Sequence, residues 1–214
     1  MRILITGANR GIGAALDSAL GARGHTVIGT ARGHPEYQEL DVTSPASVAA
    51  LAERLEGQPL DALICNAGVY LDKGHNLADG FPAKMWADEF AVNVTGVFLT
   101  VQALLPHLQQ AEAPRIMIIS SNMGSDARAP GGSYIYRASK AAALNLGRNL
   151  AVDLKHLGIA VGIYHPGWVQ TDMGGSAAAI TPDASANGLA DRLEALGLGN
   201  TGCFEAYDGE PLAF

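Results

Sequence analysis

Two side chains able to do chemistry, Tyr136 and Lys140, lie four residues apart in the stretch "YRASK". The longer run "YIYRASKAAALNLGRNLAVDL" is typical of a helix, so both side chains share one helical face. Most pairs of this kind are surface contacts. If this pair does chemistry, the lysine ammonium favours the phenolate and lowers the tyrosine pKa from its ordinary value of about 10. The spacing alone leaves both interpretations open.

A glycine-rich turn, "TGANRGIG" (6–13), joins a strand-like run to a helix-like run near the start of the chain. Gly7, Gly11 and Gly13 permit a tight turn and a close approach of the backbone to a ligand. The first N–H groups of the following helix, at the positive end of its dipole, suit a phosphate. Because this turn stands at the first βα junction, it predicts dinucleotide binding, with a purely structural turn as the alternative.

The end of the second strand-like run, "IGTARGH" (28–34), bears on which dinucleotide binds. An NAD site usually carries an acidic residue there for the ribose diol, about 20 positions after the glycine turn. Arg32 follows this strand instead, and Arg10 lies in the glycine turn. Because guanidinium groups form forked hydrogen bonds with phosphate, the two arginines favour NADP(H), with its 2′-phosphate, over NAD(H). Glu36 argues against this preference, since the short connection can bring its carboxylate back toward the ribose.

The composition is that of a compact globular protein of 214 residues, 48% hydrophobic and 16% charged. A net charge of −7 disfavours nucleic acid as a partner, but it does not exclude a small phosphorylated ligand. A strand-like run begins at residue 2 and no apolar run approaches about 20 residues, so we expect neither a leader peptide nor a membrane span. Cys65 and Cys203 suggest no disulfide framework and no metal site, which favours a reducing, cytoplasmic location.

Strand-like and helix-like runs alternate along most of the chain. The strand candidates are 2–6, 25–31, 37–40, 60–67, 115–120, 158–165 and 202–207, and the helix candidates are 11–22, 44–56, 84–110, 134–157 and 184–197. This order predicts an α/β fold: one domain over 1–214 with a doubly wound, mainly parallel, seven-stranded sheet and helices on both faces. The connection at 31–37 is too short for a helix, and the breaker-rich stretch 174–188 is expected to be a mobile substrate loop or lid.

Several motifs occur in a specific order and spacing. They are "TGANRGIG", "LDVTS" (40–44), "NAG" (66–68), "NVTG" (93–96), "SS" (120–121), "YRASK" and "HPGWVQTDM" (165–173). On these motifs the chain resembles the short-chain dehydrogenase/reductase family over its whole length, and within it the C-factor-like branch of small carbonyl reductases. The resemblance implies a Rossmann fold, a nicotinamide cofactor and hydride exchange between an alcohol and a carbonyl compound.

The resemblance also implies the catalytic residues. Tyr136 is then the proton donor or acceptor, and Lys140 lowers its pKa and holds the nicotinamide ribose. Ser121 hydrogen-bonds the substrate oxygen, and Asn93 holds a water that links Lys140 to solvent. Ser120 is the alternative hydroxyl, and Asn93 could instead be a structural residue of a kinked helix. Ser121 precedes Tyr136 by about two residues more than in many family members, a difference that the loop 122–133 of the C-factor-like branch accounts for.

The remaining implied residues bind the cofactor. Asp41 and Val42 flank the adenine, Asn66, Ala67 and Gly68 end the fourth strand, and the segment from Pro166 to Thr171 lies along the nicotinamide and its phosphates. Trp168 is equally well a wall of the nicotinamide pocket or a packing residue. The full expected cofactor set is Gly7, Asn9, Arg10, Gly11, Ile12, Gly13, Arg32, Asp41, Val42, Asn66, Ala67, Gly68, Tyr136, Lys140, Pro166, Gly167, Val169 and Thr171.

Two functions of different classes compete for this sequence. The first is an NADPH-preferring reductase that acts on a small or apolar carbonyl compound through Tyr136. The second is a dinucleotide-binding signalling or regulatory protein that has kept the fold, although a pure binder has no need of the tyrosine. The resemblance further implies a homodimer or homotetramer formed through the helices at 84–110 and 134–157.

Overall fold

The computed structural model describes residues 1–214 and contains one seven-stranded sheet. Its strands are β1 (Arg2–Thr6), β2 (Thr26–Ala31), β3 (Gln38–Glu39), β4 (Ala62–Cys65), β5 (Arg115–Ile119), β6 (Ala160–His165) and β7 (Phe204–Ala206). All neighbouring strands pair in parallel, in the order β3-β2-β1-β4-β5-β6-β7. The predicted fold class is confirmed. The strand order reverses between β1 and β4, and in open α/β sheets ligands bind at this switch point, beyond the carboxyl ends of the strands.

The chain forms six α-helices: α1 (Gly11–Ala22), α2 (Pro45–Arg54), α3 (Ala83–Phe90), α4 (Gly96–Leu108), α5 (Tyr134–Leu154) and α6 (Pro182–Ala195). Helices α2, α4 and α5 pack on one face, over a core that includes Leu4 and Ile116. Helices α1 and α6 pack on the other face, over a core that includes Ile3 and Ile5. Because both faces are covered, most residues of the central strands β1, β4, β5 and β6 are apolar, and these strands are hydrophobic runs in the sequence.

Helices α3 and α4 are joined by a π-helical segment, Ala91–Thr95, into one continuous helical run. By length and composition this run, Ala83–Leu108, could cross a membrane, with a mean hydropathy of 1.4 over its most apolar 18 residues, although no such span was expected from the sequence. Nearly half of its most apolar window, 44%, is buried inside the structure. Val97, Val101 and Leu104 belong to the core against the sheet, which is the ordinary arrangement of a core helix.

The stretch 174–188 differs from its expected form, because only its first part lies outside a helix. Helix α6 begins at Pro182, and the Thr181 hydroxyl accepts a hydrogen bond from the N–H of Ala184 at 3.2 Å. A threonine cap followed by proline at the first helical position is a strong helix start. The loop beyond β6 therefore ends at residue 181.

Candidate active site

The predicted catalytic residues meet at the carboxyl edge of the sheet. Ser121 follows β5, Tyr136 and Lys140 lie in the first turns of α5, and Asn93 lies in the π-helical segment. All four side chains belong to buried residues. Gly68, which follows β4, lies beside both Asn93 and Lys140. A Cβ atom at this position would lie 3.4 Å from Asn93 Oδ1 and 3.5 Å from Lys140 Nζ.

Tyr136 and Lys140 do not form a surface pair, since their exposed fractions are 8% and 5%. Lys140 Nζ donates a hydrogen bond to the carbonyl oxygen of Ile119 at 3.0 Å and lies 5.7 Å from the centre of the Tyr136 ring. Burial lowers the pKa of Lys140 to about 8, and the negative charge of Glu89 opposes this shift. An ammonium with a pKa this close to neutrality can exchange a proton readily.

The pKa of Tyr136 differs in direction from the expected one. Burial raises the pKa of Tyr136 above its ordinary value, and a hydrogen bond with the Ser121 hydroxyl works against that shift. The ring is also covered by Tyr70, stacked at 4.2 Å between ring centres with an angle of 21° between the planes. Desolvation thus outweighs the Ser121 hydrogen bond and keeps the pKa of Tyr136 raised in this arrangement.

The two serines at the end of β5 have different surroundings. Ser121 accepts a hydrogen bond from the N–H of Met123 at 3.1 Å, which turns the chain, and its hydroxyl also lies beside the Tyr136 phenol. Ser120 instead donates to the backbone carbonyl of Lys140 at 2.9 Å. Ser120 therefore ties β5 to α5, and Ser121 is the hydroxyl at the phenol.

The Asn93 side chain forms hydrogen bonds with Val69, the residue that follows "NAG". Its amide nitrogen donates to the Val69 carbonyl at 2.9 Å and to Ser139 Oγ at 3.0 Å, and its oxygen accepts from the Val69 N–H at 2.9 Å. The side chain is thus engaged with protein groups on both sides. The proposed water between Asn93 and Lys140 stays a prediction. π-helical insertions are frequent at functional sites, and this one places Asn93 opposite Val69.

Two residues at this site, Asp72 and Glu89, were not predicted from the sequence. Tyr70 stacks on Tyr136, and Asp72 and Glu89 are both fully buried although each carries a carboxyl group. Asp72 accepts the backbone N–H groups of Ile135 and Tyr136. A signal existed for Glu89, which lies four residues before Asn93, but none existed for Asp72 in its loop.

The glycine turn forms a cradle between β1 and β4. Gly7 and Gly11 have φ angles of 68° and 55°, which favour glycine. Asn66 Nδ2 donates to the carbonyl oxygens of Thr6 and Gly7 at 2.9 and 3.0 Å, so the end of β4 fixes the turn. Gly7 also packs on Ala67, at 3.1 Å from where its Cβ would lie. The first turn of α1 has no side-chain cap, which leaves its N–H groups available to a phosphate.

We expect Gly13→Ala to lower the free energy of unfolding by about 3 kcal/mol and to weaken dinucleotide binding. A Cβ at residue 13 would lie 2.1 Å from the Gly7 carbonyl oxygen and 2.6 Å from Asn66 Nδ2, so the cradle must shift. Gly21→Ala in the same helix is the control, since nothing lies within 4 Å of its Cβ, and it should stabilise by about 0.5–1 kcal/mol. Urea denaturation and cofactor titration measure both effects, and equal stability of the two variants would contradict the steric argument.

The two arginines expected at the 2′-phosphate stand at the same edge and contact carboxylates. Arg10 Nη1 lies 3.1 Å from Asp172 Oδ2, and Arg32 Nη1 lies 3.6 Å from Asp41 Oδ2. Hydrogen bonds from Thr43 hold the pKa of Asp41 below its ordinary value, and Arg32 contributes to the same shift. Both arginine side chains are largely exposed, so they can leave the exposed Asp172 and the half-buried Asp41 at small cost.

An acidic residue near Arg32 was also missed. Glu39, in β3, accepts a hydrogen bond from the N–H of Gly33 at 2.8 Å. Glu36, the acid considered from the sequence, is exposed in the connection before β3. The carboxylate that contacts the turn after β2 therefore comes from the neighbouring strand.

The segment after β6 closes the edge of the cradle. The methyl group of Thr171 lies 3.3 Å from where a Cβ of Gly11 would stand, and Gly167 has a φ of 87°. Val169 is buried, whereas Trp168 is 56% exposed and its ring N–H donates to the Gly174 carbonyl at 2.9 Å. The remaining expected cofactor residues lie around the same cradle: Asn9 is exposed, Ile12 and Pro166 flank the glycine turn and β6, and Val42 is buried against Gly96.

A family model described as short chain dehydrogenase matches residues 1–180 of the 214. The match covers most of the chain and includes the glycine turn, Asn93, Ser121, Tyr136 and Lys140. The protein therefore belongs to the short-chain dehydrogenase/reductase family, as its motifs predicted.

Individual relatives agree with this assignment. The 1-hydroxy-2-glutathionyl-2-methyl-3-butene dehydrogenase of Rhodococcus sp. (strain AD45) is 35% identical over 224 residues, which span 97% of this chain and 96% of that protein. C-signal of Myxococcus xanthus is 39% identical over 152 residues, 71% of this chain and 90% of that protein. The crystal structure of NADPH-bound carbonyl reductase from chicken fatty liver has a TM-score of 0.90 and 32% identity, covering 100% of this chain and 98% of that one. The chain is an NAD(P)H-dependent oxidoreductase of this family.

Proposed function

We propose that the protein reduces small, apolar carbonyl compounds with NADPH, and that Tyr136 supplies the proton. The observation that carries this proposal is the buried cluster of Tyr136, Ser121 and Lys140 beside the glycine cradle. A phenol, a hydroxyl donor and an ammonium gathered at one point are the groups that a carbonyl oxygen needs as it gains negative charge.

The glycine cradle and the first turn of α1 would hold the cofactor pyrophosphate, and bound nicotinamide supplies the hydride that the carbonyl carbon accepts. Tyr136 Oη donates its proton to the carbonyl oxygen, so the substrate leaves as an alcohol. Ser121 donates a hydrogen bond to the same oxygen and stabilises its developing charge. The charge of Lys140 stabilises the phenolate that remains until a proton from solvent restores it.

The preference for NADPH over NADH is supported by Arg10 and Arg32. Both side chains are largely exposed, Arg10 in the glycine turn and Arg32 after β2, and forked hydrogen bonds to a phosphate would replace their present contacts. Glu39 is the residue that favours NADH instead, because its carboxylate lies beside Gly33, where a ribose diol can be bound.

The substrate class is inferred from the side chains around the site. Leu71, Tyr134, Trp168 and Met173 are large hydrophobic residues with exposed fractions between 38% and 56%. An exposed group of apolar side chains at the edge of a site suits an apolar ligand. The carbonyl reductase among the related structures supports this inference. A cytoplasmic location and a homodimer or homotetramer stay predictions.

A signalling role is the second candidate, and the similarity to C-signal favours it. The deciding experiment measures loss of reduced-nicotinamide absorbance with a panel of aldehydes, ketones and quinones, using NADPH and NADH in parallel. Turnover that is faster with NADPH supports the reductase. Tight dinucleotide binding without turnover on any compound would contradict it and favour the regulatory role.

A further inference from the structure

Helix α5, which carries Tyr136 and Lys140, lacks a cap of its own. The residue before it is Ser133, a residue type that often caps helices, but its φ is 49° and its side chain makes no capping hydrogen bond. The Ser133 hydroxyl is instead hydrogen-bonded to the hydroxyl of Tyr70. The first N–H groups of the catalytic helix therefore need a partner from elsewhere in the chain.

Asp72 is that partner, although it lies 63 residues earlier in the sequence. The Ile135 N–H donates to its Oδ2 at 2.8 Å, and the Tyr136 N–H donates to its Oδ1 at 3.3 Å. These are the second and third residues of α5, the two positions that a capping side chain serves. Asp72 is fully buried, and its negative charge faces the positive end of the helix dipole.

Glu89 in α3 holds Asp72 in turn. Its Oε2 accepts the N–H of Leu71, the residue before Asp72, at 2.9 Å. Asn93, one turn further along the same helical run, holds Val69 through both its N–H and its carbonyl. The short segment 69–72 is thus fixed by side chains of the helical run at two points, with the Tyr70 ring between them stacked on Tyr136.

We propose that Asp72 and Glu89 are positioning residues for the reaction, which set the location of the Tyr136 backbone and thereby of its phenol. The connection runs from Glu89 to the backbone N–H of Leu71, along the chain to Asp72, and from the Asp72 carboxylate to the N–H groups of Ile135 and Tyr136. Neither carboxyl group touches substrate or cofactor in this role. The proposal rests on the assignment of Tyr136 as the proton donor, because only then does its placement control turnover.

Two buried carboxyl groups are a costly way to stabilise a helix end. An ordinary serine cap would serve stability alone, and Ser133 already stands at the right place in the sequence. Burial raises the pKa of Glu89, and its Oε1 has no hydrogen-bond partner, so this site is not optimised for stability. What the arrangement adds is a rigid link between the segment beneath Tyr70 and the first turn of α5.

The test compares Asp72→Ala, Asp72→Asn and a matched control, Asp61→Ala. Asp61 Oδ2 also accepts a backbone N–H, that of Arg2 at 2.6 Å, but at the opposite edge of the sheet. We expect Asp72→Ala to lower kcat roughly 10- to 100-fold, since a displacement of about 1 Å can cost that much. The KM for NADPH should change less than about threefold, because the cradle is untouched.

Asparagine should rescue part of the reaction, because its single oxygen can accept the Ile135 N–H while its amide nitrogen cannot accept that of Tyr136. The kcat of Asp72→Asn should therefore lie between those of the wild type and Asp72→Ala. Glu89→Gln keeps an acceptor for the Leu71 N–H and should behave likewise, whereas Glu89→Ala should follow Asp72→Ala. Asp61→Ala should lower stability and leave kcat unchanged. The proposal would be overturned if Asp72→Ala had the same kcat as Asp61→Ala, or if Asp72→Asn had a kcat as low as that of Asp72→Ala.

Hydrogen exchange separates this proposal from the proposed function, because it requires no turnover. The amides of Ile135 and Tyr136 should exchange faster in Asp72→Ala than in the wild type and stay protected in Asp61→Ala. Unchanged protection of these two amides would refute the capping role itself. If these amides exchanged faster in Asp72→Ala but the wild type reduced no carbonyl compound, the capping role would be supported and the proposed reductase function would be contradicted.

Discussion

Replacing Tyr136 by phenylalanine should lower kcat by about 10³-fold or more and leave the affinity for NADPH within about twofold of the wild type. The substitution removes one oxygen and keeps the ring, so the stack on Tyr70 is preserved. The alkoxide then loses the phenol that lies beside its oxygen, and Ser121 remains only as a hydrogen-bond donor. Single-turnover measurement with saturating NADPH isolates the chemical step.

The matched control for this substitution is Tyr164→Phe. Tyr164 is a fully buried tyrosine of β6 in the core against α1 and α6, and its hydroxyl contacts Cys203 Sγ at 3.4 Å. The same atom is lost, without a change at the carboxyl edge, so kcat should stay at the wild-type value. If Tyr136→Phe turned over as fast as this control, Tyr136 could not be the acid.

The pH dependence of turnover cannot be read from the spacing of Tyr136 and Lys140. An interval of four residues in a helix predicts that the two groups are close, and the structure places them on one buried face. Desolvation then decides the direction of each shift, and it raises the pKa of Tyr136 while it lowers that of Lys140 to about 8. The degree of burial depends on Tyr70 and on the packing around β5, which local sequence does not encode.

Residues that act over short sequence distances were predictable, and those that act over long distances were not. The apolar runs of β1, β4, β5 and β6 and the glycine turn each carry a local signal, because their conformation depends on residues within a few positions. Asp72 is a single acid in a loop, and its partners at 135 and 136 become neighbours only after the sheet forms. Ser133 shows the same limit, since serine often caps a helix, yet its hydroxyl is bonded to that of Tyr70, which lies 63 residues earlier.

The connection between β2 and β3 shows why the type of dinucleotide is harder to predict than the presence of its site. The acid that distinguishes NAD sites is expected at the end of β2, where this chain has Arg32. The structure brings Glu39 to that corner from β3, because the two strands pair in parallel with Ala31 opposite Glu39. Arg32, which favours NADPH, and Glu39, which favours NADH, thus lie at the same corner. The difference in binding free energy between the two cofactors depends on both side chains.

Replacing Arg10 and Arg32 together by alanine should raise the dissociation constant of NADPH about 100-fold and change that of NADH less than about threefold. Each hydrogen-bonded guanidinium–phosphate contact contributes about 1.5–3 kcal/mol, and breaking the contacts with Asp172 and Asp41 offsets part of it. Only NADPH carries the 2′-phosphate with which these two guanidinium groups would form hydrogen bonds. Fluorescence titration with each dinucleotide measures both constants.

A control for net charge is the double variant Arg23→Ala/Lys155→Ala, which removes two positive charges at the opposite edge of the sheet, after α1 and α5. It should leave the ratio of the two dissociation constants unchanged, whereas general attraction of a charged ligand would weaken in both double variants alike. If the arginine variant lost NADPH and NADH equally, the two guanidinium groups would not read the 2′-phosphate. The carboxylate of Glu39 would then be the group that decides the cofactor, and Glu39→Gln should weaken NADH binding more than NADPH binding.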